Sequence, residues 1–368
     1  MKTVLLASGG SGGHLAPAIA LAQRLGRRGI RTGISTTRKG VDRRLQSRYP
    51  DLAFVAMSQA RGNGGARGLL VFAAEMVAAV WKSSRYLDEA RVDLVLATGG
   101  FGCAPVATAA CLLGIPLQIH ESNSVPGKLA SWFRPVSVAT WVTRLLDEAS
   151  CWRRSRRVIE TGLPMRAELK RGEMRDAKLA LGLDPDLPVL TVFGGSQGSK
   201  ALNQWAARAS GELRNAGIQV FCVCGNAGMP GLVPDSVRIM DFCDDMPGLY
   251  SASDFVIARS GSGTLSELAA FGVPSVLVPY PYAAADHQME NARRFVEAGC
   301  GIVLPQAELD SATALILEWM GDATRMQACR KNLERWHAGN AIGRLVDTLA
   351  LVDRGCGDWQ GIEREADV

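Results

Sequence analysis

The amino-acid sequence predicts an α/β protein of two Rossmann-like domains facing across a cleft. Three observations carry this expectation. Short runs rich in Val, Ile and Leu, each closed by glycine and followed by a stretch of helical period, recur from end to end, which is the βαβ rhythm of parallel sheets. The two halves open alike, with a strand running into Gly9-Gly10-Ser11-Gly12-Gly13 in one and into Gly194-Gly195-Ser196-Gln197-Gly198 in the other. The chain has 368 residues, 47% of them hydrophobic, which exceeds twice the usual domain of about 150 residues and suffices for two buried cores.

The elements follow in order. Six strands are expected in the first half, at residues 3–7, 32–35, 53–56, 94–97, 117–120 and 137–141. Six more are expected in the second, at 189–193, 219–224, 237–240, 255–258, 275–278 and 301–304. The glycine-rich loop after the first strand leads into a helix expected from about Leu15, and the run from Gly68 to Trp81, with Glu75 as its single charge, reads as an apolar helix. Thr161-Gly162-Leu163-Pro164 breaks structure and marks the boundary. The expected domains are residues 1–164, joined by a C-terminal helical segment at about 345–368, and residues 165–344. Ligands of such sheets bind outside the carboxyl ends of the strands.

Composition excludes peptide hormones, disulfide miniproteins and disordered tails. No window reaches the roughly 18 apolar residues of a spanning helix, and Met1 leads into a strand without a basic leader, so an unexported chain is expected. The nine cysteines are an odd number, single apart from Cys222 and Cys224, which suits reduced thiols better than a disulfide framework or a zinc site. Residues 1–164 hold 22 Lys+Arg against 10 Asp+Glu, and the remainder 19 against 26. The basic half suits a polyanionic partner, whether nucleic acid, an anionic membrane surface or a phosphorylated substrate, against the plainer reading of a solvated surface.

The loop after the first strand lets backbone amides approach an anion at a helix start, so it reads as a phosphate or pyrophosphate site or as a tight turn. It is neither a Walker loop nor a dinucleotide fingerprint. His14 follows it, placed to take up a proton near neutral pH or to cap and pack the helix. Thr98-Gly99-Gly100-Phe101-Gly102 and His120-Glu121-Ser122-Asn123 close two further strands on the same edge, and Glu121 is either a site carboxylate or a buried cap. The Gly68–Trp81 helix, with Arg61, Arg67, Lys82 and Arg85 around it, either lies in a membrane interface or belongs to the core. Cys151-Trp-Arg-Arg-Ser-Arg-Arg157 extends the basic surface or is a solvated linker. In the second half, Arg259-Ser260-Gly261 runs into a helix that carries Gly263, Thr264, Ser266 and Glu267. That helix start suits a diphosphate and the carboxylate a ribose diol. Gln288 and Asn291, one turn apart, suit sugar hydroxyls.

These motifs together resemble the MurG family of UDP-N-acetylglucosamine transferases. The resemblance rests on the segments Gly9–Ala18, Gly114–Asn123, Gly194–Gly198 with Leu202-Asn203-Gln204, Arg259–Glu267 and Asp286–Asn291, in order along most of the chain. It implies a GT-B fold that adds N-acetylglucosamine in β-1,4 linkage to undecaprenyl-pyrophosphoryl-N-acetylmuramoyl-pentapeptide, with inversion, without cofactor or catalytic metal, on the cytoplasmic face of the cell membrane. By matching positions, His14 is similar to the family's candidate base, and Gly12, Gly13, Gly99, Gly100, Glu121 and Asn123 resemble acceptor-side elements. Ser11, Gly12, Asn123, Arg166, Ser196, Gln197, Asn203, Cys243, Gly263, Thr264, Glu267, Gln288 and Asn291 resemble the donor side. Implied partners are UDP-N-acetylglucosamine, the lipid acceptor, an anionic membrane surface and other cell-wall synthesis proteins, with no nucleic acid. The chain departs from the family at Leu163, where asparagine is usual, at Phe101, where tyrosine is frequent, and at Cys103, where serine is common. The alternatives are another GT-B enzyme acting on a membrane lipid, such as a diacylglycerol glycosyltransferase, a UDP-N-acetylglucosamine 2-epimerase, or a catalytically weak scaffold.

Overall fold

The computed structural model describes residues 2–9, 12–36, 46–57, 66–143, 158–195, 197–229, 235–338 and 342–351. The chain divides into two compact units, Met1–Arg166 with Ala341–Val368, and Ala167–Asn340.

The first unit holds a seven-stranded sheet in which every pairing is parallel, ordered β3-β2-β1-β4-β5-β6-β7. Its strands are β1 (Thr3–Ala7), β2 (Arg31–Thr36), β3 (Phe54–Ala56), β4 (Leu94–Ala97), β5 (Leu117–Glu121), β6 (Ala139–Val142) and β7 (Val158–Glu160). The central strands β1, β4, β5 and β6 are buried throughout, as expected of a parallel sheet covered by helices on both faces. The helices are α1 (Gly12–Gly26), α2 (Ala66–Glu89), α3 (Ala104–Leu112) and α4 (Lys128–Phe133).

The second unit repeats the design with six parallel strands ordered β10-β9-β8-β11-β12-β13. These are β8 (Val189–Phe193), β9 (Gln219–Val223), β10 (Val237–Met240), β11 (Phe255–Ala258), β12 (Ser275–Leu277) and β13 (Ile302–Val303). Around them lie α5 (Met174–Ala180), α6 (Lys200–Asn215), α7 (Met246–Ala252), α8 (Ser262–Phe271), α9 (His287–Glu297), α10 (Ala312–Gly321) and α11 (Ala323–Ala338). The chain then adds α12 (Ile342–Leu351), whose Leu345, Val346 and Leu349 are buried with Leu15, Ile19 and Ala22 of α1 in the core of the first unit.

The edge strand β7 and the start of α1 differ from the sequence reading. The edge strand β7 was not expected, because Val158-Ile159-Glu160 is only three half-buried residues and too short to show a period. Helix α1 starts at Gly12 rather than near Leu15. Pro17 cannot sit deep in a helix without losing a hydrogen bond, which makes a later start read better, yet the two glycines form an extra turn before it.

In each unit the strand order reverses beside the first strand of the sheet, between β1 and β4 and between β8 and β11. Such a switch point opens a crevice at the carboxyl ends of the strands. The glycine-rich loops after β1 and β4, and after β8 and β11, occupy those two places.

Candidate active site

At the first switch point the loops after β1 and β4 interlock. The Gly9 amide donates to the Gly99 carbonyl at 3.0 Å. Gly99 and Gly100 have φ of 110° and 81°, which disfavours any residue with a Cβ. A Cβ on Gly99 would lie 2.6 Å from His14 Nδ1, and one on Gly100 would lie 2.4 Å from the Gly9 carbonyl oxygen. The absence of side chains therefore lets the β4 loop press against His14 in the first turn of α1. Nδ1 of His14 lies 3.2 Å from the Thr98 carbonyl oxygen, and Thr98 Oγ1 donates to the His14 carbonyl at 2.8 Å. A ring that donates through Nδ1 to a carbonyl carries its lone pair on Nε2. The pairing thus fixes both the ring orientation and the basic nitrogen.

Beside β4, the end of β5 supplies His120, Glu121 and Asn123. Glu121 is buried, and its two oxygens accept from Asn123 N at 3.0 Å, Asn123 Nδ2 at 3.2 Å and Gly127 N at 2.9 Å. This carboxylate caps the loop and orients Asn123. His120 is wholly buried, with Nε2 3.1 Å from the Gly162 carbonyl oxygen and, among the described residues, no partner for Nδ1. Burial drives its pKa down to about 4, against the Gly162 hydrogen bond and assisted by nearby His14. His120 is therefore a neutral imidazole that donates from Nε2. Gly12 and Gly13 lie in the first turn of α1, and Ser11 lies outside the described residues.

The departures from the family pattern have local explanations. Cys103 is buried, with Sγ 3.1 Å from both the Ala7 and the Gly99 carbonyl oxygens. Burial pushes its pKa up to about 12, so it remains a thiol that donates as a serine hydroxyl would. Phe101 packs between Phe72, stacked at 6.1 Å, and Trp132, edge-on at 5.6 Å. Leu163 is buried.

The second switch point is built on the same plan. Gly198 has φ of 72°, and a Cβ there would lie 2.0 Å from the Cys224 carbonyl oxygen. The β8 loop thus packs against the β9 loop before Ser199 caps α6. Gln197 is exposed beside Asn226, and Ser196 lies outside the described residues. Asn203 is fully buried, and its amide donates to the Cys224 and Gly228 carbonyls at 3.0 and 2.7 Å. It holds the β9 loop in place. Cys243 packs in the core.

Arg259, at the end of β11, is buried. It donates to the Val278 and Pro279 carbonyls, Ser199 Oγ and Gln306 Oε1, and lies over the Tyr280 ring. This one guanidinium ties together the loops after β8, β11, β12 and β13. Gly261, the residue before α8, provides no side-chain cap, and Gly263 and Thr264 lie half-buried in the first turn. Glu267 is half-buried one turn on, and its Oε2 accepts from Tyr250 Oη at 2.9 Å. Gln288 Oε1 accepts from the Tyr280 amide at 2.9 Å, and Asn291 Nδ2 donates to the Ser260 carbonyl at 3.2 Å. These bonds tie Asn291 to the β11 loop, Gln288 to the loop after β12 and Glu267 to α7.

Arg166, placed on the donor side from sequence, is the last residue of the first unit, where Nη1 donates to Tyr49 Oη at 3.0 Å. Tyr49, Thr98 as the partner of His14, Arg259 as a tie between loops, and Tyr250 were not singled out from sequence. Each acts through a partner distant along the chain, so no local signal marks it.

Family models match both units: the N-terminal domain of glycosyltransferase family 28 over residues 4–140 and its C-terminal domain over residues 189–335. Fold and loops thus define a two-domain sugar-nucleotide transferase. The chain belongs to the MurG family of glycosyltransferases. It is 34% identical to the UDP-N-acetylglucosamine--N-acetylmuramyl-(pentapeptide) pyrophosphoryl-undecaprenol N-acetylglucosamine transferase of Opitutus terrae, covering 96% of each chain. It is also 34% identical to the protein of the same name in Shewanella oneidensis, covering 96% of this chain and 99% of the relative. Among solved structures it resembles Acinetobacter baumannii MurG, with a TM-score of 0.71 and 24% identity over 95% of this chain and 99% of that one. It also resembles the calicheamicin glycosyltransferase CalG4, with a TM-score of 0.68 and 18% identity over 95% and 98%. These structural likenesses concern the fold, which is GT-B.

Proposed function

We propose that this protein transfers N-acetylglucosamine from UDP-N-acetylglucosamine to the 4-hydroxyl of the muramyl sugar of undecaprenyl-pyrophosphoryl-N-acetylmuramoyl-pentapeptide, with inversion at the anomeric carbon. The observation that carries the mechanism is the pairing of His14 Nδ1 with the Thr98 carbonyl. It leaves Nε2 as the nitrogen that removes the proton of the attacking hydroxyl. The hydroxyl attacks from the face opposite UDP as the glycosidic bond breaks, through an oxocarbenium-like transition state in a single displacement. UDP leaves as a stable anion. The α8 first-turn amides and the loop after β8 stabilise its charge, and donors already fixed in place need no reorganisation. Glu267 accepts the ribose hydroxyls, while Gln288 and Asn291 read the donor sugar. The loops after β1, β4 and β5, with Glu121 holding Asn123, receive the acceptor.

A lipid-linked acceptor requires reaction at a bilayer, and the outward face of α2 supports docking there. Leu69, Leu70, Val71, Val77 and Trp81 are exposed, and Trp132 is 62% exposed beside Phe101. Arg85 lies 5.2 Å over the Trp81 ring. Aromatic rings and cations on one apolar face suit the headgroup region of an anionic leaflet. Among the described residues no helix is long and apolar enough to cross a membrane. Arg61 and the basic segment Cys151–Arg157 lie outside the described residues.

The deciding experiment is transfer of labelled N-acetylglucosamine from UDP to the purified lipid acceptor. A β-1,4 disaccharide product supports the assignment. Transfer to diacylglycerol alone, or conversion of the sugar nucleotide without acceptor, overturns it.

A further inference from the structure

Tyr250 is among the most deeply buried aromatic residues of the second unit, at 1% exposure. Its ring meets Phe193, the last residue of β8, edge-on at 5.9 Å, and Phe271, the last residue of α8, at 5.2 Å. The helix that carries it is itself fixed, because Asp245 caps α7 by accepting from the Gly248 amide at 2.9 Å. Two rings and a capped helix hold the phenol oxygen in one place, where it donates to Glu267 Oε2 at 2.9 Å. A phenylalanine would make the same ring contacts, so packing alone does not account for the hydroxyl. A glutamate on a half-buried helical face has several rotamers, and freezing one on ligand arrival weakens binding. A carboxylate already held by a rigid donor avoids that loss.

We propose that Tyr250 is a positioning residue for the sugar nucleotide. It holds the Glu267 carboxylate in the rotamer that meets the ribose diol, without itself touching the ligand. This rests on the assignment of Glu267 to the ribose made above. Loss of the phenol costs donor and transition state alike, so it raises KM for the donor and leaves kcat in place.

The test compares Tyr250→Phe, Glu267→Ala and the double variant with UDP-N-acetylglucosamine and with its 2′-deoxyuridine analogue. Tyr250→Phe keeps both ring contacts and is expected to fold, with its thermal midpoint as the control. The expected result is a rise in donor KM of about three- to tenfold with kcat within about twofold, as befits one lost hydrogen bond to a charged group that water partly replaces. That penalty should shrink with the deoxy donor and vanish on the Glu267→Ala background. A purely structural role would give the same penalty with both donors and on both backgrounds, and that pattern overturns the proposal. So does an unchanged donor KM in Tyr250→Phe while Glu267→Ala raises it. An unchanged donor KM in Glu267→Ala instead removes the ribose assignment, and the role of Tyr250 with it.

Discussion

His14 shows how a single side chain acquires its chemistry from its surroundings. Its ring is wedged against a β4 loop that has no Cβ at Gly99, and Nδ1 is taken up by the Thr98 carbonyl. His14→Ala is expected to lower kcat by about 10²- to 10⁴-fold, the range for a positioned general base, while UDP affinity measured by calorimetry stays nearly unchanged. Unchanged turnover would remove His14 from the mechanism. His120, two strands away, is the opposite case, since burial lowers its pKa from 6.5 to about 4. Between those values the unfolded chain binds a proton that the folded one refuses. Stability from this site is therefore complete above about pH 6.5 and declines as the pH falls toward about 4, by at most about 1.4 kcal/mol per pH unit. Thermal midpoints measured from pH 7 to 4 should fall more steeply for the parent than for His120→Gln. Parallel curves would show that His120 does not titrate in this range.

Helix α2 illustrates how one element serves two environments. Met76, Val80, Tyr86 and Leu87 face the core, while Leu70, Val77 and Trp81 face outward at 73, 70 and 58% exposure. Burial of one aliphatic side chain contributes roughly 1.5–3 kcal/mol, so Leu70→Glu with Val77→Glu should reduce sedimentation with anionic vesicles by more than tenfold. Turnover of a short-chain soluble acceptor should be unaffected, and undiminished vesicle binding would place the docking face elsewhere. The apolar length of this helix was legible from Gly68 to Trp81, but its final turns, with Lys82 and Arg85, read as flanking charge rather than helix. Strands β1, β4, β8 and β11 are found at the bounds their apolar runs predict, because buried parallel strands are continuous in sequence. The glycine loops were legible for a related reason, since close approach of two backbones demands the residue without a side chain. What orients the site was not legible. Thr98 reaches His14 across 84 positions, Asn203 reaches Cys224 across 21 and Tyr250 reaches Glu267 across 17, and such pairings exist only once the sheets have formed.

At the scale of the whole molecule, the first unit is not a continuous stretch of chain. It closes only when α12 returns after the second unit has been traversed, placing Leu345, Val346 and Leu349 in the same core as α1 and pairing Asp347 with Arg28. The exposed ion pair contributes little, in the range of 0–1 kcal/mol for surface pairs. The three aliphatic side chains, buried to 3% exposure or less, contribute on the order of 5 kcal/mol together, comparable to the whole stability of many domains. Ending the chain after Asn340 should therefore destabilise the first unit selectively. In scanning calorimetry one transition is expected to fall or disappear, while the transition of the second unit, whose strands and helices all lie within Ala167–Asn340, keeps its midpoint. Leu345→Ala should reproduce part of the effect, about 2–5 kcal/mol by analogy with other buried leucines. UDP binding should survive both changes, because Glu267, Gln288 and Asn291 stand on the second unit, whereas transfer should fail with the core that supports His14. Two unshifted transitions in the truncated chain would show that α12 lies on the first unit without stabilising it.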